Sequence, residues 1–247
     1  MRFCVLGPII VHDGPHRITP GGGKQHALLA VLLARAGSVL SRDALIDALW
    51  APAPPPSAAD MLRWHIHKLR RLLGEARVLT CPTGYLLHPG PDEIDAQRFE
   101  AACARARRLL DDGAAHDAGT VLQDALALWH GPAYGDLDIP LVRGETLRLH
   151  ELHLAACELL AQADLATGQD STAAARLRPL VADHPFRERF RAQLMVALYR
   201  SGRRAEALDV FHDGRRLLDE ELGLGPGPEL LRLQQSILTG QNVPAAT

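Results

Sequence analysis

Ser57-Ala-Ala-Asp-Met-Leu-Arg-Trp-His-Ile-His-Lys-Leu-Arg-Arg-Leu-Leu73 is the stretch that decides the reading of this chain. At about 3.6 residues per turn, Leu62, Ile66, Leu69 and Leu73 share one face of a helix. Asp60, Arg63, Trp64, His67, Lys68 and Arg71 share the opposite face. Such a helix seats its apolar side on a small core and turns a cationic ridge outward, and its diameter suits the major groove of B-DNA. A charged helix face taken alone is most often only solvated. The residues C-terminal to this helix separate the two readings. Arg77-Val-Leu-Thr-Cys-Pro-Thr-Gly-Tyr-Leu-Leu87 contains two short β-rich runs around a Pro-Thr-Gly turn. Amphipathic helix, basic ridge and hairpin, in that order, predict a winged helix-turn-helix.

The upstream residues supply the rest of that domain. Residues 2–18 are β-rich and cut by Gly7-Pro8 and Asp13-Gly14-Pro15, which predicts short antiparallel strands. After Gly21-Gly22-Gly23, a helix is expected from about Lys24 to Ala36, with Leu28, Leu29, Leu32 and Leu33 as its buried stripe. A second helix is expected after Ser41, a good N-cap, carrying Leu45, Ile46 and Leu49 and ending near Trp50. The proline-rich run at 51–56 cannot continue it. Pro89-Gly90-Pro91 then marks a boundary, giving expected domains at 1–90 and 91–247.

Beyond the boundary the pattern is almost entirely helical, with helices expected at 95–112, 117–130, 141–167, 171–183, 187–201, 203–221 and 227–239. Gly168 and Gly202 end successive helices 34 residues apart, the period of tetratricopeptide repeats. Each is followed by an alanine-bearing helix, with Ala173-Ala174-Ala175 in one and Ala205 and Ala207 in the other. An ordinary helical bundle remains the alternative. The expected fold class is an α+β winged helix-turn-helix followed by an all-α, tetratricopeptide-like domain.

Charge divides along the same line. Of 27 basic and 29 acidic residues, positions 1–90 hold ten and five, a net of +5. Positions 91–247 therefore hold 17 and 24, a net of -7. A basic head suits a polyanion and an acidic tail does not. Only Lys24 and Lys68 are lysines, so phosphate contacts would be mostly arginine. Cys4, Cys81, Cys103 and Cys157 show no paired spacing, which suggests neither disulfides nor zinc. There is no apolar leader and no long apolar run, so a cytoplasmic protein that does not enter a membrane is expected.

Catalytic patterns fail on spacing. His150-Glu-Leu-His153 sets its histidines three apart, where a zinc-protease helix needs four. Gly223-Leu-Gly-Pro-Gly227 follows a helix rather than a strand, and its proline removes a backbone donor. Gly21-Gly22-Gly23-Lys24 lacks the spacing of a phosphate loop. Asp136 and Asp138 do not supply a full oxygen shell for a cation. No enzyme activity, catalytic residue, metal or cofactor is expected.

For DNA, Arg63, His67, Lys68 and Arg71 are expected toward the groove, with Trp64 against sugar or a thymine methyl. Arg70, at the margin of that face, is placed for a phosphate. Lys24 and Arg42 sit near helix starts, where dipole and side chain together hold phosphates. Thr80, Thr83 and Tyr85 are placed to touch the backbone at the minor groove. For Tyr85, packing against the third helix is an equal alternative.

Ordered matches along the chain carry a family resemblance. They include Arg2-Phe-Cys-Val-Leu-Gly-Pro8, Leu45-Ile-Asp-Ala-Leu-Trp50, His65-Ile-His-Lys-Leu-Arg-Arg71 and Gly84-Tyr-Leu-Leu87. Ala127-Leu-Trp-His-Gly-Pro132, His184-Pro-Phe-Arg-Glu-Arg189 and Glu220-Glu-Leu-Gly-Leu-Gly-Pro-Gly-Pro-Glu229 continue them. In these the chain resembles the Streptomyces antibiotic regulatory protein family, and in particular its small class, since no nucleotide-binding module follows residue 240. The resemblance implies an OmpR-type winged helix joined to a bacterial transcriptional activator domain. It also implies a homodimer on direct DNA repeats, recruitment of RNA polymerase holoenzyme and activation of antibiotic biosynthesis genes. A helical interaction scaffold and a ligand-sensing repressor are the alternatives. Trp64 and His67 depart from the smaller residues common in the family, as do Gly23 and His26 from its Pro and Arg. Pro179 is expected to kink or shorten its helix.

Overall fold

The computed structural model describes residues 1–135 and 137–240. Asp136, weighed above as a cation ligand, lies outside the described residues, as does the end of the 91–247 stretch.

Strands β1 (Arg2–Cys4), β2 (Ile10–Asp13) and β3 (His16–Ile18) form an antiparallel sheet in that order. Phe3 pairs with Val11 and Val11 with Ile18, so alternate side chains reach the core. Helix α1 (Gly23–Ala34) follows, and every residue from Leu28 to Leu33 is buried. Beyond the expected stripe, Ala30 and Val31 are inside as well, so the helix is enclosed all round over this central run. A two-residue strand β4 (Leu40–Ser41), too short to show in a periodicity, leads into α2 (Arg42–Trp50). The Ser41 hydroxyl caps that helix by accepting the Ala44 N–H at 3.1 Å. Helix α3 (Ala58–Leu73) packs on both α1 and α2. The hairpin is β5 (Val78–Thr80) and β6 (Gly84–Leu87), and a second sheet runs β4-β6-β5. Gly84 is required there, because a Cβ would lie 1.7 Å from the Leu40 carbonyl oxygen of the neighbouring strand.

The first compact unit does not stop at the proline-rich boundary. It comprises Met1–Ala102 together with Ala125–His153. Helix α4 (Asp95–Asp111) opens with a buried carboxylate, and this explains the extension. Asp95 accepts the Val5 N–H at 2.8 and 3.0 Å, the Leu6 N–H at 3.2 Å and its own neighbour Ala96 N–H at 2.8 Å. Burial pushes this carboxyl above its usual range, and the backbone donors pull against that shift. The Leu6 carbonyl accepts the His130 N–H at 2.8 Å and the Val5 carbonyl the Tyr134 N–H at 2.7 Å. Trp129 packs edge-on to Phe99 and against His153 at ring separations of 5.5 and 4.4 Å. Just before α4, Glu93 receives Arg77, the Gly90 N–H at 2.7 Å and the Met1 ammonium at 3.2 Å.

Helices α5 (Ala115–Leu126) and α6 (Pro140–Ala166) come next. The second unit is Cys103–Asp124 with the described residues from Leu154 onward. Within it, α7 (Asp170–Asp183), α8 (Glu188–Arg200), α9 (Arg204–Leu222) and α10 (Pro228–Thr239) pack in succession, α10 also returning onto α8. Ala173, Ala174 and Ala207 are buried with Phe190, Met195 and Phe211. Gly168 and Gly202 take φ of 72° and 77°, a left-handed turn repeated at the 34-residue period. Helix α7 runs through Pro179 to Asp183, so of the two expectations, a kink or a shortened helix, the shortening does not occur. Pro179 and Ala175, the residue one turn before it, are both exposed, so the ring is accommodated on the solvent side of the helix. No helix among the described residues is long and apolar enough to cross a membrane.

Two outcomes are expected. Asp95→Ala strands the Val5 and Leu6 N–H groups, at about 1–3 kcal/mol each, read as a lower urea midpoint. Glu93 is held down at about 2 by Arg77 first, so its contribution is full above the ordinary 4.5 and is lost as pH falls towards 2. Glu93→Gln should therefore be less stable than wild type at pH 6, with the gap closing by about pH 2 in thermal unfolding.

Candidate nucleic-acid interface

The ridge exists because the other face of α3 is spoken for. Leu62, Ile66, Leu69 and Leu73 are each 3% exposed or less. His65 joins them at 8%, an inward residue that the hydrophobic pattern alone does not mark. Its ring lies between Trp50 (6.2 Å) and Trp64 (4.9 Å), and burial, then Lys68 and Lys24, hold it below its ordinary pKa. A neutral imidazole is the form that such a site favours.

Outward stand Arg63, Trp64, His67, Lys68 and Arg71, all exposed. Trp64 is 52% exposed, and the Lys68 ammonium sits 3.7 Å from its ring centroid, a cation–π contact one turn along the helix. Met61, which sequence reasoning missed, is 37% exposed beside it, so the ridge has an apolar step among its cations. Arg63 pairs with Asp60 on the same exposed face. Among the described residues, Lys68 and Arg71 have no carboxylate partner.

The marginal residues have other work. Arg70 is half-buried and donates to the Val78 carbonyl at 2.8 Å and the Thr80 hydroxyl at 2.6 Å. It fastens the hairpin to α3, which explains its place between the two faces. Arg42 donates to the Pro82 carbonyl at 3.4 Å and lies 5.9 Å from the Tyr85 ring, while the Thr83 carbonyl accepts its backbone N–H at 3.3 Å. Thr80 and Thr83 are exposed on the hairpin. Tyr85 is 5% exposed, on the strand paired to both β4 and β5, so burial withdraws its ring from the exposed surface of the hairpin. Lys24, at the start of α1, donates to the Leu49 carbonyl and lies 5.9 Å from Trp50. The structure thus brings Arg63, Trp64, His67, Lys68 and Arg71 onto one surface, with Arg42, Thr80 and Thr83 on or beside the hairpin. Among the described residues no group of three His, Cys, Asp or Glu is placed to hold a metal ion.

Comparison with known proteins agrees with this geometry. Residues 18–87 match the family described as transcriptional regulatory protein, C terminal, and residues 94–238 match the bacterial transcriptional activator domain. Regulatory protein DnrI of Streptomyces peucetius is 34% identical over 266 residues, covering 100% of this chain and 98% of DnrI. Regulatory protein AfsR of Streptomyces griseus is 40% identical over 238 residues, which cover 96% of this chain. The chain spans 24% of the length of AfsR. Among solved structures, Mycobacterium tuberculosis EmbR in complex with a low affinity phosphopeptide superimposes with a TM-score of 0.95 at 32% identity. That match covers 99% of this chain and 66% of EmbR.

The division between ridge and fastening residues has a stability signature. Arg70→Ala should cost about 1–2 kcal/mol, since it removes two charge-assisted hydrogen bonds that hold the hairpin. Arg63→Ala and Arg71→Ala should each stay within about 0.5 kcal/mol. Urea titrations of the three variants compare them directly.

Proposed function

Because the chain belongs to the Streptomyces antibiotic regulatory protein family, we propose that it is a sequence-specific DNA-binding activator of a secondary-metabolite biosynthesis gene cluster. It acts as a regulator and not as an enzyme, in the cytoplasm. Residues 1–90 hold the duplex, and residues 91–247 carry the contacts to a second copy and to RNA polymerase holoenzyme. The observation that carries this reading is the exposed face of α3, where cations flank a large apolar step (Met61 and Trp64) that the core does not use.

Each group has a role on a duplex. Arg63 and Arg71 are the bidentate readers of guanine edges, and His67 is a lesser donor on the same face. Trp64 and Met61 pack on the thymine methyl, the one apolar feature of the major-groove edge. Lys24, Arg42, Lys68, Thr80 and Thr83 hold phosphates, which fix register and carry no sequence information. Two copies bind a direct repeat with centres about 10–11 base pairs apart, so that both α3 helices enter one face of the DNA. The acidic 91–247 stretch, at a net of -7, is poorly suited to DNA and left for protein partners.

Footprinting on the intergenic DNA beside the gene locates the repeat, and fluorescence anisotropy with the full chain then tests the roles. Arg63→Ala or Arg71→Ala should cost roughly 1–3 kcal/mol on the repeat and less on random duplex. Lys24→Ala or Arg42→Ala should weaken both alike. Replacing thymines by deoxyuridine should weaken wild type, and Trp64→Ala or Met61→Ala should lose that difference. Indifference of wild type to the missing methyls would remove the apolar step from the readout. In vitro transcription with holoenzyme is the decisive arm: repression, or no change in transcript, would refute activation.

A further inference from the structure

Beside the ridge, an open surface pocket of about 420 Å³ is lined by Thr19, Gly21, Gln25, Lys68, Arg71 and Leu72. It brings together the loop before α1, the first turn of α1 and the second half of α3. Gln25 is 3% exposed and is the one polar side chain among the buried residues of α1. Among the described residues, its Nε2 is buried without a hydrogen-bond partner. A stranded amide donor is costly in a native core and calls for an explanation. The other amide atom, Oε1, faces Gly21, where a Cβ would stand 2.7 Å away. Glycine at position 21 therefore keeps the amide uncovered on the pocket side. A half-turn of the terminal torsion exchanges the oxygen and nitrogen, so the amide has a donor to offer in either direction.

The surroundings share one sign. Lys68 and Arg71 are a turn apart on α3 and have no carboxylate partner among the described residues. The start of α1 has no side-chain cap and no acidic residue in its first turn, so the positive end of its dipole is uncompensated. Thr19 adds a hydroxyl. These donors come from a loop and two helices. A tetrahedral anion with oxygens on all sides can meet them together, whereas a planar carboxylate meets them from one side only.

We infer that this pocket is a phosphate-binding site, with Gln25 as its buried donor and Lys68 as its principal charge, Arg71 at its edge adding to that charge when its guanidinium is not engaged on a base. The phosphate comes either from a DNA backbone diester or from a free phosphate compound. The DNA source rests on the function proposed above, and the free source does not.

Wild type, Gln25→Leu and Gly21→Ala are compared as full chains. Gln25→Leu removes a stranded polar group, so without ligand it should melt at or above the wild-type temperature, which establishes that it folds. In one arm, thermal unfolding is followed in millimolar inorganic phosphate against chloride at equal ionic strength. In the other, a random duplex is titrated by anisotropy. If the site takes free phosphate, wild type gains melting temperature with phosphate and both variants do not. If it takes a DNA phosphate, inorganic phosphate has no effect, and both variants bind random and specific duplex more weakly by a similar factor, roughly threefold to tenfold. Variants that match wild type in both arms would overturn the site, while normal salt-dependent DNA binding in the same titration would leave the DNA reading standing. Stabilisation by phosphate in a wild type that binds no duplex supports the site and refutes the DNA reading instead.

Discussion

Leu62, Ile66, Leu69 and Leu73 must leave water together, and that single requirement orients the functional surface. Each of these side chains contributes about 1.5–3 kcal/mol when buried, so rotating α3 by a third of a turn would forfeit several of them at once. No contact made by Arg63 or Arg71 in the free protein competes with that. The cations face outward as a consequence of apolar packing on α1 and α2, and their own electrostatics then act from a fixed platform. The enclosed α1, buried along its whole central run, is what makes the platform stiff.

A second constraint ties the N-terminal sheet to residues beyond the winged helix. Asp95 is a buried carboxylate whose partners are backbone N–H groups of Val5 and Leu6 rather than a cation. Neutral donors of this kind offset desolvation without adding a second buried charge, so the group fixes position at modest risk. Its raised pKa means that burial outweighs those donors, and its ionised form weakens stability slightly as pH rises through its range. Glu93, two residues earlier and pulled down chiefly by Arg77, acts in the opposite sense at the acid end. The junction at 93–95 therefore holds the sheet against α4 by two oppositely tuned carboxylates.

Residues with a strong period were legible from the sequence: the four leucine and isoleucine positions of α3, the helices at 170–183 and 204–222, and the glycine pair 34 residues apart. Residues whose role depends on a distant partner were not. Arg70 looks like a phosphate ligand until Val78 and Thr80 are seen beneath it, and Tyr85 reads equally as contact or core until β4 pairs with its strand. Two residues are too few for β4 to show alternation. The helix expected at 117–130 ends at Leu126, because Trp129 leaves the helix to pack on Phe99 and His153. The burial of Gln25 carried no periodic signal: a polar residue in the first turn of a helix reads as solvated, and only its 3% exposure reveals otherwise.

The same contrast bears on what binding would require of the ridge. Arg63 begins on Asp60 and Lys68 on Trp64, both exposed, where an ion pair or cation–π contact is worth about 1 kcal/mol or less. A phosphate or a guanine edge, with desolvation shared across the interface, outweighs such a contact easily. These self-contacts shield the ridge from loose association and limit the rotamers open to Arg63 and Lys68, so less side-chain entropy is lost on docking. Arg70 is different, since it is half-buried and holds both a backbone carbonyl and a hydroxyl of the hairpin. Drawing it toward DNA would loosen the wing that it positions. The cations of this surface are thus divided by their setting in the free protein: the exposed ones, Arg42 with its single long contact at 3.4 Å included, are available to a ligand, and Arg70 holds the frame.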